Sequence, residues 1–321
     1  MKMKKLIALL MVFTMVLMAG CQSGPADQAG KEDENKVESY TFTDDLGREV
    51  TVNNPQRVAA LLGSYAEMWQ LAGGDVCATA DDAWDDLGLT LAEDAVNIGG
   101  TKNISVEKVF ASNPDFIIAS PITRINMELL DTFEASGIPT AYFEVSGFND
   151  YLRVLKIMTE ITGRPELYEQ NGASIEQQIA DVVEASKKRL NGEEGPTVLF
   201  LRVSATAVYA KNSYDSVLGE MLHALGCRNI ADDDATLIET VSLEHVVEMD
   251  PDYIFTVQQG GDTEGTKANL ESMFSDGGAW SSLTAVKEGR WHHLEKRLYN
   301  LKPNALWGEA YEGLEAILAA E

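Results

Sequence analysis

The chain contains the same short text twice, and that repetition limits its architecture more than any other feature. Residues 104–118, Ile-Ser-Val-Glu-Lys-Val-Phe-Ala-Ser-Asn-Pro-Asp-Phe-Ile-Ile, align without gaps on residues 241–255, Val-Ser-Leu-Glu-His-Val-Val-Glu-Met-Asp-Pro-Asp-Tyr-Ile-Phe. Six of the 15 positions are identical, among them Ser105/Ser242, Glu107/Glu244, Pro114/Pro251 and Asp115/Asp252. Each copy reads as a serine cap, a short helix, a stop set by proline and a buried strand. Earlier in each half, Glu67-Met68 through Gly73 matches Glu220-Met221 through Gly226. The copies lie 153 residues apart at the first mark and 137 at the second, so the first half holds 16 extra residues between them. That insertion falls at the acidic run Asp81-Asp82-Ala83-Trp84-Asp85-Asp86. A length of 321 residues also exceeds what one core usually supports, so two related lobes are expected.

Around the repeats, short apolar runs alternate with helix patterns. Residues 37–52 predict a hairpin with Asp44-Asp45-Leu46-Gly47 as its turn. Strands are predicted at 58–62, 116–119 and 140–143, and helices at 65–72, 105–113 and 125–136. The second half predicts strands at 198–201, 253–257 and 291–294, and helices at 216–225, 242–250 and 304–320. This alternation places the chain in the α/β class, as two Rossmann-like lobes with mostly parallel sheets. Between them lie helix patterns only, at 150–162 and 166–190. In the second of these, Tyr168, Ile175, Ile179, Val182, Ser186 and Leu190 form one stripe. Its 25 residues would reach about 38 Å, a stiff spacer with Gly172 as its weak point. The expected limits are 37–148 for the first lobe, 149–191 for the helical linker and 192–321 for the second lobe.

The N-terminus reads as an export signal over residues 1–20. Lys2, Lys4 and Lys5 precede an apolar run of 13 residues, Leu6 to Met18, too short to span a bilayer alone. Met18-Ala19-Gly20-Cys21 resembles a bacterial lipobox, which makes Cys21 the lipidated first residue of the mature chain. Residues 21–36 are, after Cys21, Ser, Gly, Pro, Ala, Gln, Asn and charges, a flexible tether of about 20 Å. The folded part is therefore expected outside the cell membrane, held by lipid.

The formal charge is −26, from 25 Lys+Arg against 51 Asp+Glu. Cleavage removes three lysines and no acid, which takes it to −29. Such an acid excess repels phosphate backbones and argues against nucleic-acid binding. Three cysteines without a Cys-x-x-Cys support neither a disulfide framework nor a thiolate zinc site; Cys77 and Cys227 are expected as buried free thiols. His292-His293 would face opposite sides of a strand and so make no chelating pair. No Gly-x-Gly-x-x-Gly, Walker loop, Gly-x-Ser-x-Gly or His-Glu-x-x-His occurs, so no enzyme, resident cofactor or protein-held metal is expected.

From residue 38 onward the chain resembles the substrate-binding lipoproteins of bacterial ABC importers for ferric siderophores, haem and cobalamin. The resemblance rests on the lipobox, the hairpin followed by Pro55-Gln-Arg-Val58, and the two Ser-x-Glu…Pro-Asp repeats. The long linking helix and Lys302-Pro303-Asn304…Trp307-Gly308-Glu309 complete it. It implies a monomer that captures a ferric siderophore or related chelate between its lobes and hands it to a permease and ATPase. In that family one glutamate on each lobe's outer face docks onto permease arginines, and the matching positions are Glu107 and Glu244. On physical grounds alone, first-turn acids also complement the helix dipole. Haem or cobalamin as cargo, a chelatase-like enzyme and a sensor-linked surface receptor remain alternatives for the same architecture.

Ligands of open α/β sheets sit beyond the strand carboxyl ends. The residues following the predicted strands include Gly63-Ser64-Tyr65, Ser120–Arg124, Glu144, Arg202-Val203-Ser204, Gln258-Gln259-Gly260 and Glu295–Arg297 with Tyr299. Arg124, Arg202 and Arg297 suit anionic oxygens, Gln258 adds a polar contact, and Tyr65, Trp84, Tyr299 and Trp307 supply apolar surface.

Overall fold

A computed structural model describes residues 39–214, 216–232 and 235–320; Cys21, the export signal and the tether lie outside them. The chain enters through the expected hairpin, β1 (Tyr40–Thr43) antiparallel to β2 (Glu49–Val52). Asp44 closes its turn, accepting from the amides of Leu46 and Arg48 and from the Arg48 guanidinium.

Two separate sheets follow. The first comprises β3 (Val58–Ala60), β4 (Val76–Thr79), β5 (Val96–Asn97), β6 (Phe116–Ala119) and β7 (Thr140–Tyr142). All are parallel, in the spatial order β5-β4-β3-β6-β7. The second comprises β8 (Thr197–Val203), β9 (Val208–Lys211), β10 (Arg228–Asn229), β11 (Tyr253–Gln258) and β12 (Trp291–Leu294). Its order is β10-β8-β11-β12 in parallel, with β9 antiparallel on β8. Central strands such as Phe116–Ala119 are buried on both faces, which is why they read as unbroken apolar runs. The two sheets share no strand among the described residues, so the fold is the expected pair of α/β lobes.

The helices between the sheets are Phe148–Thr162, Pro165–Tyr168 and Ser174–Leu190. The single helix expected over 166–190 is interrupted at Glu169–Ala173 by a π turn that contains Gly172. A Cβ on Gly172 would meet Leu152 and Leu155 of the neighbouring helix at 3.1 and 3.3 Å, so the helices approach too closely there for a larger residue to sit freely. The spacer is also more than a bare rod. The C-terminal helix Trp307–Leu318 packs along Ser174–Leu190, and Arg189 grips Glu315 through two hydrogen bonds of 2.9 and 3.1 Å.

One face of each sheet joins these helices in a shared apolar core. Val58, Phe116 and Phe143 enter from the first half, Val198, Phe200 and Phe255 from the second. The rings of Phe148 and Trp307 meet edge to face at 5.7 Å between them. The opposite faces have clusters of their own, around Ile117 and Phe133 and around Ile254 and Phe274. Both thiols are free, Cys227 buried as expected and Cys77 only half-buried, at 3.6 Å from the Ser112 hydroxyl.

Candidate ligand-binding cleft

The carboxyl ends of both sheets open onto one cavity of about 570 Å³, a size suited to a small molecule. From the first half, its wall is built by Leu62 and Ser64 after β3, Asp82 and Leu87 after β4, and Thr101 and Lys102 after β5. Ile122–Ile125 follow β6, and Val145 and Ser146 follow β7. The second half contributes Arg202 near the end of β8, Ser216 and Val217 after β9, and Asn300–Lys302 beyond β12.

Four cations line this space, Lys102, Arg124, Arg202 and Lys302, against a single carboxylate, Asp82. Arg202 is the least accommodated. Its Nε is buried without a hydrogen-bond partner, and burial pulls its pKa below the usual arginine range. No carboxylate pairs with it among the described residues. A guanidinium desolvated without an acceptor destabilises the empty protein, and its donors stay available to an incoming anion. Lys302 stands beside it, half-buried, its ammonium 5.3 Å from the centre of the Tyr65 ring. Burial lowers its pKa to about 8, with Arg202 pushing the same way and Asp82 opposing.

Asp82 accepts the Gly63 amide at 2.8 Å, and burial raises its carboxyl to a pKa of about 6. Position 63 needs glycine because a Cβ would lie 2.5 Å from the Ala83 nitrogen. That close approach seats the acidic insertion against the helix Gly63–Leu71 and makes it part of the wall. Asp86 of the same insertion reaches Lys296 of the second half at 2.6 Å. No group of three or more His, Cys, Asp or Glu able to hold a metal occurs among the described residues.

The family described as periplasmic binding protein matches over residues 58–298, a stretch that takes in both sheets. The chain belongs to the periplasmic binding protein family. It is 26% identical over 297 residues to the uncharacterized ABC transporter substrate-binding lipoprotein YvrC of Bacillus subtilis, covering 90% of this chain and 87% of that one. It is 21% identical over 308 residues to the probable siderophore-binding lipoprotein YfiY of Bacillus subtilis, covering 91% of each. Among solved structures, Staphylococcus aureus SirA complexed with staphyloferrin B superposes with a TM-score of 0.66 at 18% identity, over 88% of this chain and 99% of that one. The superposition shows a common fold. The likeness to ABC-importer substrate-binding lipoproteins drawn from the repeats therefore stands.

Of the seven residues expected to touch ligand, the cleft of this periplasmic binding protein gathers Arg124 and Arg202. Arg124 is 81% exposed and paired with Glu128, one turn along the same helix. Trp84 lies on the short helix Asp82–Asp85 beside the wall without lining it. Tyr65 is a core residue instead, wholly buried, its hydroxyl donating to the Phe143 carbonyl. Tyr299 is likewise buried, its hydroxyl 3.1 Å from the Ala310 carbonyl. Trp307 belongs to the shared core as well. Gln258 is turned onto its own loop, donating to the Gly260 carbonyl and the Thr263 hydroxyl. Arg297 is taken by Glu67 of the other half, at 2.6 and 2.8 Å. For Tyr65, Arg297 and Tyr299 the cause is that a helix begins just after the strand, and a helix turns some of its first side chains inward. Lys302 and Asn300 were missed as wall residues, although Lys302 stands in the Lys-Pro-Asn motif near the chain's end.

Glu107 and Glu244 do not line the cavity; both are exposed, in the first turns of Val106–Ala111 and Leu243–Met249. The capping is done by the neighbouring serines: Ser105 accepts from the Lys108 amide at 3.3 Å and Ser242 from the His245 amide at 3.4 Å. The Ser105 hydroxyl donates to Glu107 at 3.1 Å.

Proposed function

We propose that this binding protein captures a small anionic iron chelate in the cleft and delivers it, as the substrate-binding component of an ABC importer, to a membrane permease. The observation that carries the choice of cargo is a cationic wall in an acidic molecule. With 51 acids against 25 bases, carboxylates are abundant, yet among the described residues neither Arg202 nor Lys302 makes a salt bridge, and Asp82 is the single carboxylate on the wall. Cations held open at a cavity favour anionic oxygens and draw them in from a distance.

The rest of the wall supports a cargo that brings its own metal ligands. Ser, Thr, Asn, Lys, Arg and aliphatic side chains surround one carboxylate. Haem iron is held by His, Cys, Met or Tyr, and a bare divalent ion needs several oxygen, nitrogen or sulfur ligands together. The name of YfiY, a probable siderophore-binding lipoprotein, agrees with this reading. Cys21 would carry the lipid that keeps the protein at the membrane. Glu107 and Glu244, one exposed on each half, would meet permease cations.

Fluorescence titration of the full chain against ferric citrate, ferric staphyloferrin B, haem and cobalamin tests the cargo. Trp84, on the short helix that helps build the wall, supplies a reporter. An anionic ferric chelate is expected to bind about tenfold or more tighter than cobalamin, the worth of one charge-assisted hydrogen bond, and tighter than haem, whose propionates the cations can hold but whose iron finds no His, Cys, Met or Tyr on the wall. Preference for haem or cobalamin refutes the assignment.

A further inference from the structure

The repeat formed by Glu67-Met68…Gly73 and Glu220-Met221…Gly226 supplies nothing to the cavity wall, yet both glutamates are partly buried carboxylates. Glu67 stands midway along the helix Gly63–Leu71 of the first half, and Glu220 in the first turn of Val217–Ala224 of the second. Each also reaches the other half of the chain. Glu67 accepts from Arg297 through both oxygens and from Asn304 Nδ2 at 2.6 Å. Asn304 begins the turn of 3-10 helix that leads into the C-terminal helix, and its φ of 54° is one that Asn tolerates better than most residues.

The second contact is lighter, a single bond from a backbone amide. Glu220 accepts from the amide of Phe148 at 3.4 Å, the first residue of the helix by which the chain leaves the first sheet. Gly147 is pressed against it, since a Cβ there would lie 1.6 Å from the Glu220 carboxylate. So, with the same residue of the repeat, the first half holds the start of the C-terminal helix of the second, and the second half holds the start of the linking helix by which the chain leaves the first. A carboxylate at a helix N-terminus is favoured by the helix dipole. Phe148 and Trp307, the ring pair of the shared core, each stand at one of these two helix starts.

We infer that Glu67 and Glu220 are a matched pair of clasps that hold the two lobes at a set spacing across the cleft, and that Arg297 is a positioning residue for Lys302. Arg297 Nη1 donates to the carbonyls of Lys302 and Pro303 at 2.9 and 3.3 Å while Nη2 is held by Glu67. The clasp therefore fixes the backbone from which the Lys302 ammonium enters the wall. This last link rests on the proposed reading of the cleft; the clasps themselves do not.

Ligand-free measurements on the full chain separate the two. Gly147→Ala displaces the Glu220 carboxylate without changing any charge, and its φ of −137° accepts alanine. Glu220→Gln weakens the same contact by another route. Both should speed amide exchange at residues 147–151 about tenfold while the helix Val217–Ala224 stays protected. Glu67→Gln should do the same at 301–306. The Glu67→Gln/Gly147→Ala double variant should show a larger scattering radius than the wild type. Unchanged exchange at 147–151 in both Gly147→Ala and Glu220→Gln overturns the clasp, as does an unchanged radius in the double variant. If Glu67→Gln raises exchange throughout the chain, the two position-147 and position-220 variants decide the matter alone. For Arg297, amine labelling of Lys302 against pH is the readout. Its midpoint, near 8 in the wild type, should move toward the ordinary lysine value of 10.5 in Arg297→Gln. An unmoved midpoint removes the positioning role and leaves the clasps standing.

Discussion

Replacing Arg202 with methionine should move stability and affinity in opposite directions. Methionine keeps a long flexible stem and drops the guanidinium. In the wild type the Nε–H is buried without an acceptor, and an unsatisfied buried donor costs about 1–3 kcal/mol. Its removal should therefore stabilise the empty protein by about that amount. The ligand side has the other sign. A charge-assisted pair with an anionic oxygen contributes about 1.5–3 kcal/mol, or roughly 10–150-fold in Kd. Because Arg202 is already desolvated before ligand arrives, little of that is lost to stripping water on binding. Urea unfolding without ligand measures the first quantity, and fluorescence titration with ferric citrate or ferric staphyloferrin B the second. A guanidinium that instead braces the fold would give a less stable variant with unchanged affinity, and either of those results refutes the argument.

The cleft's charge should also respond to pH. Affinity for an anionic chelate is expected to fall in two steps as pH rises, near 6 as Asp82 ionises and near 8 as Lys302 loses its proton; a flat profile at fixed ionic strength contradicts this. Unfolding free energy should fall with rising pH from about 4 to 6, where folded Asp82 holds a proton its unfolded form has lost, and rise from about 8 to 10, where unfolded Lys302 holds the extra proton. Changing both Glu107 and Glu244 to arginine should abolish cellular uptake of the labelled ferric chelate while Kd and melting temperature stay put, since both residues are exposed; normal uptake removes them from docking. Trp307→Ala should destabilise the chain by about 3–5 kcal/mol, because the side chain is fully buried where the halves meet; a loss below 1 kcal/mol, read from urea unfolding, would show that the shared core does not join them.

Much of the architecture was legible because its signals are local. A serine cap, a first-turn acid, a proline stop and an apolar strand fit within 15 residues, and their duplication announces two lobes. Several other strands were less readable. Val76–Thr79 is made partly of small residues, β10 is two residues long, and β9 follows β8 through a short turn, so neighbouring strands rather than intrinsic preference make them strands. The π turn at Gly172 lies between these cases: the glycine marked the place, and only the approach of Leu152 and Leu155 determined what the backbone did there.

The site divides along the same line. Strand alternation was enough to say which loops would face the cleft, because chain direction is a property of the sequence. What each side chain does there depends on what comes toward it from elsewhere. Arg202 and Arg297 are both arginines beyond or near the end of a strand in the same half. One is left open in the wall, while the other is captured by Glu67, 230 residues away in the chain. No local pattern separates them, since the separating fact is a carboxylate brought from the other half by folding. Sequence alone determined where these charges begin; tertiary structure decided which of them is free to hold a guest.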